Sequence, residues 1–177
     1  MPIDRRARAT RLRISEAFLR LGGMRALDRI RVEDLAREAG IARSTFYAHY
    51  QGLDDYMARS FAAMLESFAD SGPGGRALPV AAILDHVADV GAGAQTIARH
   101  RNFPRMLSEG ERALQRLADR RLQRILPALD PVERGSIATM LAAGFLAMLR
   151  DWMEEPRGRC ATEIGRRFEA LEARLIG

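Results

Sequence analysis

Residues 32–50 read VEDLAREAGIARSTFYAHY, two short helical patterns on either side of a glycine. The first pattern starts at Val32, and its apolar residues recur at spacings of three and four, which predicts a helix with one buried face. Gly40 permits the positive φ that a tight turn requires, so the chain is expected to turn there. A second short helix is predicted from Arg43 to Tyr50.

The second helix carries two kinds of residue that cannot share one buried stripe. Phe46 and Tyr50 suit a packing face, whereas the face that bears Arg43 and Ser44 is expected to project outward. Side chains of the second kind can enter the major groove of DNA. Two short helices joined by a tight turn match the helix-turn-helix pattern, so the stretch predicts DNA binding.

Apolar residues recur at three and four along the rest of the chain and do not alternate at two, which predicts an all-helical protein. The first helix should end in a left-handed cap at Gly22-Gly23, and the fourth should begin near Leu53. The stretch DSGPGGRALP, residues 70–79, is the best candidate for a boundary or hinge, because its glycines and prolines sustain no packed helix. The later predicted elements are helices at about 80–100, 111–126, 131–154 and 162–176, with a short turn from Pro104.

Positive charge is concentrated at the front of the chain. Residues 1–60 hold 12 Arg against 8 Asp or Glu, and the remainder holds 16 against 15. A basic leading segment suits contact with phosphate. Arg5, Arg6 and Arg8 either reach the DNA backbone or minor groove from a disordered arm or form a solubilising tail, and the sequence leaves both open.

Composition predicts a cytoplasmic protein with no membrane partner. The lone Cys160 fits a reducing compartment, and no signal-peptide pattern is visible at the front. The longest apolar run, from Met140 to Leu149, is shorter than the ~18 residues that a membrane span needs. We therefore expect that run in a protein core or an interface.

Residues 8–61 resemble the N-terminal domain of TetR-family transcriptional regulators, most densely in VEDLAREAGIARSTFYAHY and in the preceding AFLRLGGMRALDRIRVEDLA. The resemblance implies an all-α fold, with a three-helix helix-turn-helix DNA-binding domain at 1–52 and a helical effector-binding and dimerisation domain at 53–177. It implies a ligand-responsive regulator, a repressor rather than an activator, that binds a palindromic operator in double-stranded DNA as a homodimer.

Carried over by position, the resemblance assigns roles along the second helix of the motif. The residues implied to face base edges are Arg43, Ser44 and Ala48. The residues implied to contact phosphate are Thr45, Tyr47 and His49, for which capping or packing within the small domain is the alternative. Phe46 and Tyr50 match internal packing positions.

Two positions depart from the family pattern. Many members carry a lysine that contacts phosphate at the start of the fourth helix, whereas this chain has Gln51-Gly52-Leu53. Arg31 stands where a Thr or Ser commonly caps the second helix, which should weaken that cap by ~1 kcal/mol. Both departures make the DNA affinity uncertain.

The second half is expected to hold an effector pocket and a dimer interface. Met and Phe suit an adaptable apolar cavity for a mostly apolar effector, although each such residue also fits ordinary core packing. The candidate pocket residues are Phe61, Met64, Phe68, His86, Phe103, Met106 and Met140. The last two helices carry apolar residues at helical spacing, which suit either a dimer interface or packing within one subunit. The candidate interface residues are Leu141, Phe145, Trp152, Ile164, Phe168, Leu171 and Leu175.

An enzymatic function is not expected. The sequence has no glycine-rich phosphate loop, nucleophile elbow or HExxH helix. Cys160 beside Arg157 and Arg159 could form an activated thiol, but it has no evident base. No cofactor is expected, and no metal, because the histidines stand alone. The main alternative is a ligand-binding or protein-interaction protein of the same fold that has lost specific DNA binding.

Overall fold

The protein is all-α in a computed structural model that describes residues 2–72, 74–155, 158 and 160–176. No strand occurs within those residues, which confirms the predicted fold class. A short 3-10 turn, Leu27–Arg29, lies between the first two helices. The helices are α1 Pro2–Met24, α2 Val32–Glu38, α3 Arg43–Tyr47, α4 Leu53–Ser67, α5 Val80–Val90, α6 Ala92–Ala98, α7 Phe103–Ile125, α8 Pro131–Glu154 and α9 Ala161–Ile176.

The chain forms two compact units, residues 1–60 and 61–177. The first half of α4 belongs to the first unit and the second half to the second unit. The predicted functional division at 52/53 stays a prediction.

In the first unit, α1 packs against the helix-turn-helix through Ile14, Ala17 and Leu21, all of which are buried. The predicted end of α1 at Gly22-Gly23 is wrong. Neither glycine has a positive φ, and the helix continues to Met24. The predicted disordered arm is also wrong, because Arg5, Arg6 and Arg8 lie within α1.

In the second unit, α7 packs against α8, and α5 packs against α9. The helix predicted at 80–100 is two helices, because Gly91 adopts φ 57° and ψ −127° between α5 and α6. The turn predicted at Pro104 and the helix predicted at 111–126 are one helix, α7, since proline is well suited to a first turn. Gly110 lies inside α7, where a Cβ would come within 2.6 Å of the Phe61 ring.

The predicted bounds of α8 are confirmed. One side of α8 is buried through Ile137, Leu141 and Phe145, while Val132 and Met140 are exposed. In the described part of the chain α8 is the one helix long and apolar enough to cross a bilayer, and 33% of its most apolar window is buried. The helix therefore has one core side and one uncovered apolar side.

The segment between α4 and α5 is anchored by charged side chains of the second unit. Arg121 Nη2 donates to Ser71 O at 2.7 Å, and the fully buried carboxylate of Glu172 accepts from the Ala77 backbone N–H. Arg76 Nη1 lies 3.9 Å from Glu172 Oε2. This segment is thus bonded to α7 at Ser71 and to α9 at Ala77.

Candidate nucleic-acid interface

The six residues implied to contact DNA lie along α3 and the two residues after it. Arg43, Ser44 and Ala48, implied to face base edges, are exposed. Tyr47 is 48% exposed, while Thr45 and His49 are partly buried. The structure therefore gives this short helix an accessible polar face of the kind that a groove-reading helix requires.

Aromatic rings pack around the buried face of α3. The Phe46 side chain is fully buried, and its ring centroid lies 5.5 Å from that of Tyr50. Tyr56 of α4 contacts the Tyr50 ring edge-to-face at 5.1 Å and the Phe18 ring at 5.2 Å. A helix as short as α3 is not stable by itself, so tertiary packing must hold it. Each such ring pair contributes about 0.5–1.5 kcal/mol beyond the burial of area.

Side chains of α1 fix the turn between α2 and α3. Gly40 has a φ of 61°, and its carbonyl accepts a hydrogen bond of 2.6 Å from Arg13 Nη2. Arg20 Nε donates to Glu38 Oε1 at 2.7 Å. These contacts orient α3 relative to the rest of the first unit.

Arg43 forms an ion pair with Glu33 of α2, with 2.8 Å between Nη2 and Oε1. The Arg43 side chain is 59% exposed and that of Glu33 is 44% exposed. Exposed pairs of this kind are worth little, so the carboxylate holds the guanidinium only weakly. Glu33 thus positions the guanidinium without trapping it.

Arg59 of α4 lies at the C-terminal end of α3. Its Nη1 donates to His49 O at 2.7 Å, and its guanidinium carbon lies 5.0 Å from the centroid of the Tyr50 ring. Burial raises the pKa of the Tyr50 phenol above its ordinary value of 10.0, while Arg59 and Arg11 lower it and Asp55 raises it. Two arginines from different helices therefore lie near one aromatic ring.

Neither helix of the motif has a side-chain cap at its N-terminus. α2 begins after Arg31 and α3 after Ala42, and neither residue accepts a capping hydrogen bond with its side chain. The prediction that Arg31 fails to cap α2 is confirmed. The two helices depend on packing rather than on their own end interactions.

Four contributors to this interface were missed by the sequence analysis: Arg13, Glu33, Tyr56 and Arg59. Glu33 and Arg43 are ten positions apart, and Arg13 and Gly40 are farther apart still. No local periodicity pairs such positions. Of the four, only Tyr56 carried a usable signal, because it is an aromatic residue near the start of the predicted fourth helix.

The predicted pocket residues differ in burial, and the effector pocket stays a prediction. Phe61, Phe103 and Met106 are buried, Met64 and Phe68 are partly buried, and His86 and Met140 are exposed. The His86 ring contacts the Phe68 ring at 5.6 Å. Of the seven, only Phe103 lines one of the two clefts described in the next paragraph.

The larger cleft, of about 510 Å³, lies among the ends of α6, α7 and α8. Its lining mixes apolar and charged side chains, which are Ala98, His100, Arg101, Phe103, Pro104, Leu107, Arg150 and Glu154. A smaller cleft of about 220 Å³ is lined by Val87, Ala88, Gly91, Ala94, Gln95, Trp152 and Met153.

Five of the seven predicted dimer residues are buried within the single chain, and the dimer interface stays a prediction. The buried ones are Leu141, Phe145, Trp152, Ile164 and Phe168. Phe145 and Phe168 contact each other edge-to-face at 5.3 Å. Leu171 is 55% exposed and Leu175 is 39% exposed, so these two remain available to a partner.

The described residues place no three His, Cys, Asp or Glu side chains together as metal ligands. Cys160 is exposed. Arg157 and Arg159, considered above as neighbours of that thiol, lie outside the described residues.

No family model and no curated protein matches the sequence. Solved structures do match over nearly the whole chain. The dihydroxyacetone kinase operon activator DhaS is 19% identical, with a TM-score of 0.65 over 94% of this chain and 96% of that one. A TetR transcriptional regulator from Rhodococcus sp. RHA1 is 15% identical, with a TM-score of 0.61 over 93% and 96%.

The TetR family repressor AlkX from a Dietzia species, implicated in biodegradation of n-alkanes, is 13% identical, with a TM-score of 0.60 over 92% of this chain and 96% of that one. With sequence identities of 13–19%, the likeness to these structures is one of backbone fold. The chain has the fold of TetR-family transcriptional regulators.

Proposed function

We propose that this protein is a DNA-binding transcriptional regulator that reads a palindromic operator as a homodimer. One observation carries the proposal: α3 presents Arg43, Ser44 and Tyr47 to solvent while Phe46 beneath them is fully buried. A helix that packs through one buried face and exposes a polar face suits the major groove. The fold shared with known regulators supports the same function.

The residues on α3 are proposed to have two roles, base contact and phosphate contact. In this proposal Arg43 donates two hydrogen bonds to a guanine, Ser44 bonds to a neighbouring base edge, and the Ala48 methyl group contacts a thymine methyl. Thr45, Tyr47 and His49 hold phosphates, which fixes the register without reading the sequence.

Dimerisation is proposed to use the uncovered apolar side of α8 together with α9. Val132 is 78% exposed and Met140 is 58% exposed. Gly144 and Ala147 follow on the same side, one and two turns beyond Met140, and would let a second helix approach closely. Leu171 and Leu175 of α9 are exposed as well. A two-fold dimer would place two copies of α3 about one helical turn of DNA apart, roughly 34 Å.

Regulation by a small molecule is proposed for the 510 Å³ cleft, a volume in the range of ligand sites. Its apolar wall of Phe103 and Leu107 beside Arg101 and Arg150 suits an amphipathic effector rather than a purely apolar one. The named neighbours include an activator and a repressor, and we propose a cytoplasmic repressor.

Selection of bound fragments from a random DNA pool tests the proposal. We expect one enriched palindrome, bound about 10- to 100-fold more weakly per half-site by Arg43→Ala, because a bidentate base contact contributes roughly 1–3 kcal/mol. Arg37→Ala is the matched control, since Arg37 is an exposed arginine of the same motif paired with Asp34 at 3.1 Å. If the wild type enriches no sequence and binds no duplex at low salt, the proposal fails and a protein of this fold without DNA binding is favoured.

A further inference from the structure

A basic cluster lies where α3 ends, formed by Arg59 of α4, which packs on the Tyr50 ring, and Arg11 of α1, whose charge acts on the Tyr50 hydroxyl. Arg59 is anchored by its 2.7 Å hydrogen bond to His49 O and by the face of the Tyr50 ring. Arg11 lies near enough to the Tyr50 hydroxyl to lower its pKa. We call these two arginines the Arg59 cluster.

The groups that anchor Arg59 do not cancel its charge. A backbone carbonyl and an aromatic face are neutral acceptors. The ion pair that Arg59 makes among the described residues is with Asp55, at 3.7 Å from Nη1 to Oδ2, longer than a hydrogen bond. The same Asp55 oxygen accepts from the Gln51 backbone N–H at 3.0 Å. The Asp55 carboxylate is therefore shared with the Gln51 N–H and lies too far from Arg59 to satisfy its guanidinium.

The Arg59 guanidinium is also both fixed and accessible. Its side chain is 52% exposed although one nitrogen is already bonded to the protein. Guanidinium carries five N–H donors, so one bond to His49 O leaves donors for a second acceptor. Because the side chain is already ordered, little conformational entropy remains to be lost when an anion binds.

We propose that Arg59 binds a phosphate of the DNA backbone next to the one assigned to His49, with Arg11 of α1 adding positive charge nearby, and so fixes the position of α3 in the groove. The inference rests on the proposed function and extends it to α1 and α4. Its support is the location of the cluster: Arg59 is bonded to the main chain of His49, so an anion at His49 lies within reach of the guanidinium. Phosphate pairs with guanidinium in the bidentate manner that a planar fork allows.

Salt dependence of DNA binding tests the proposal. Fluorescence anisotropy would follow a labelled duplex of mixed sequence at a series of NaCl concentrations. Each phosphate contact contributes about 0.9 to the slope of log K against log salt, so Arg59→Gln should lower the slope by about that amount per subunit. Affinity should fall to a similar extent on every sequence. Arg59→Lys keeps the charge and should keep the slope.

Arg112→Gln is the control for loss of one positive charge, because Arg112 is 62% exposed and belongs to the second unit. It should leave the slope unchanged. Arg11→Gln is the second test variant, since Arg11 lies on another helix and does not hold His49 O. If circular dichroism shows that Arg59→Gln is unfolded, Arg11→Gln is used to test the proposal.

The possible outcomes separate this inference from the proposed function. If Arg59→Gln and Arg11→Gln weaken binding equally at every salt concentration, with an unchanged slope, Arg59 is only a brace for α3 and the phosphate site is wrong. If the wild type enriches a palindrome that depends on Arg43 while both slopes stay unchanged, the regulator stands and this inference alone fails. Absence of any DNA binding by the wild type overturns both.

Discussion

At the turn between α2 and α3, Gly40 has a φ of 61°, and an added Cβ would come within 2.8 Å of Arg13 Nη2. An alanine there must adopt a left-handed backbone, which costs roughly 1–2 kcal/mol. It must also displace the side chain that bonds to the Gly40 carbonyl. We expect Gly40→Ala to lower the free energy of unfolding of the first unit by at least that amount, measured by denaturant unfolding.

Gly52→Ala is the control for this substitution. No atom lies within 4 Å of an added Cβ at Gly52, and its φ is not positive. We expect a change within about 0.5 kcal/mol. Equal losses in the two variants would show that the turn does not depend on the left-handed glycine.

Glu172 is a buried residue whose surroundings shift its pKa. Burial raises the pKa of its carboxyl above the ordinary 4.5, the Ala77 N–H and Arg76 lower it, Glu169 raises it, and Arg121 lowers it. Burial also lowers the pKa of Arg121. Arg121 Nη1 and Glu172 Oε2 are both buried without a hydrogen-bond partner. The cluster that holds residues 71–77 is therefore charged and incompletely satisfied.

The pH dependence of stability follows from the raised pKa of Glu172. A carboxyl with a raised folded-state pKa binds its proton more tightly in the folded chain, so it favours folding when protonated. That contribution is lost as pH rises from about 4.5 through the folded-state value. Glu172→Gln keeps an acceptor for the Ala77 N–H and stays neutral. We expect its free energy of unfolding, relative to the wild type, to increase with pH across this window.

Glu163→Gln is the matched variant, because Glu163 lies in the first turn of the same helix and pairs with Arg167 at 2.6 Å. Denaturant unfolding at several pH values compares the three proteins. A constant difference between Glu172→Gln and the wild type across the pH series would contradict the assignment of a raised pKa to Glu172.

Among the helices, α8 was predicted to the residue and α5 to α7 were not. The Asp130-Pro131 start and the polar stretch after Glu154 are local signals, so they can be read from sequence alone. The break at Gly91 and the unbroken passage of α7 through Gly110 depend on neighbours. A glycine can end a helix or let another helix approach, and at Gly110 the Phe61 ring occupies the space that a Cβ would need.

The same limit explains the functional sites. The exposed face of α3 was predictable because it follows from the spacing within one helix. Two contacts join separate segments: the ion pair of Glu33 with Arg43 and the hydrogen bond from Arg59 to His49. Neither can be predicted from the residue spacing within one helix. The predicted pocket and dimer residues were apolar residues of two-sided helices, and only the folded chain shows which side is covered.

Helix α2 offers a test of capping at the level of one element. Asp130 caps α8 by accepting from the Val132 N–H at 2.8 Å and the Glu133 N–H at 3.1 Å. Arg31 does nothing comparable for α2. Arg31→Ser supplies an oxygen acceptor, and Arg31→Ala removes the same charge without one. We expect the serine variant to exceed the alanine variant in stability by about 1 kcal/mol, measured by thermal unfolding. Equal melting temperatures would mean that the charge alone matters at this end of the helix.

At the scale of the whole molecule, α8 leaves its second apolar side uncovered in a single chain. Exposed apolar residues lie on both α8 and α9, and large exposed apolar patches commonly mark association sites. A partner subunit that packed against these residues would bury them. Because Leu141 and Phe145 are buried within the single chain, we propose the opposite side of the same helix as the interface.

Met140→Glu tests this interface. In a two-fold dimer each substitution occurs twice, and a buried unpaired carboxylate is costly. We expect the dimer dissociation constant to rise at least tenfold, or about 1.4 kcal/mol, by analytical ultracentrifugation. Val90→Glu is the control, since Val90 is 42% exposed on α5 and should leave assembly unchanged. Because a monomer occupies one half-site, Met140→Glu should also bind a half-site and the full palindrome about equally. A Met140→Glu protein that stays dimeric and still prefers the palindrome would place the interface elsewhere.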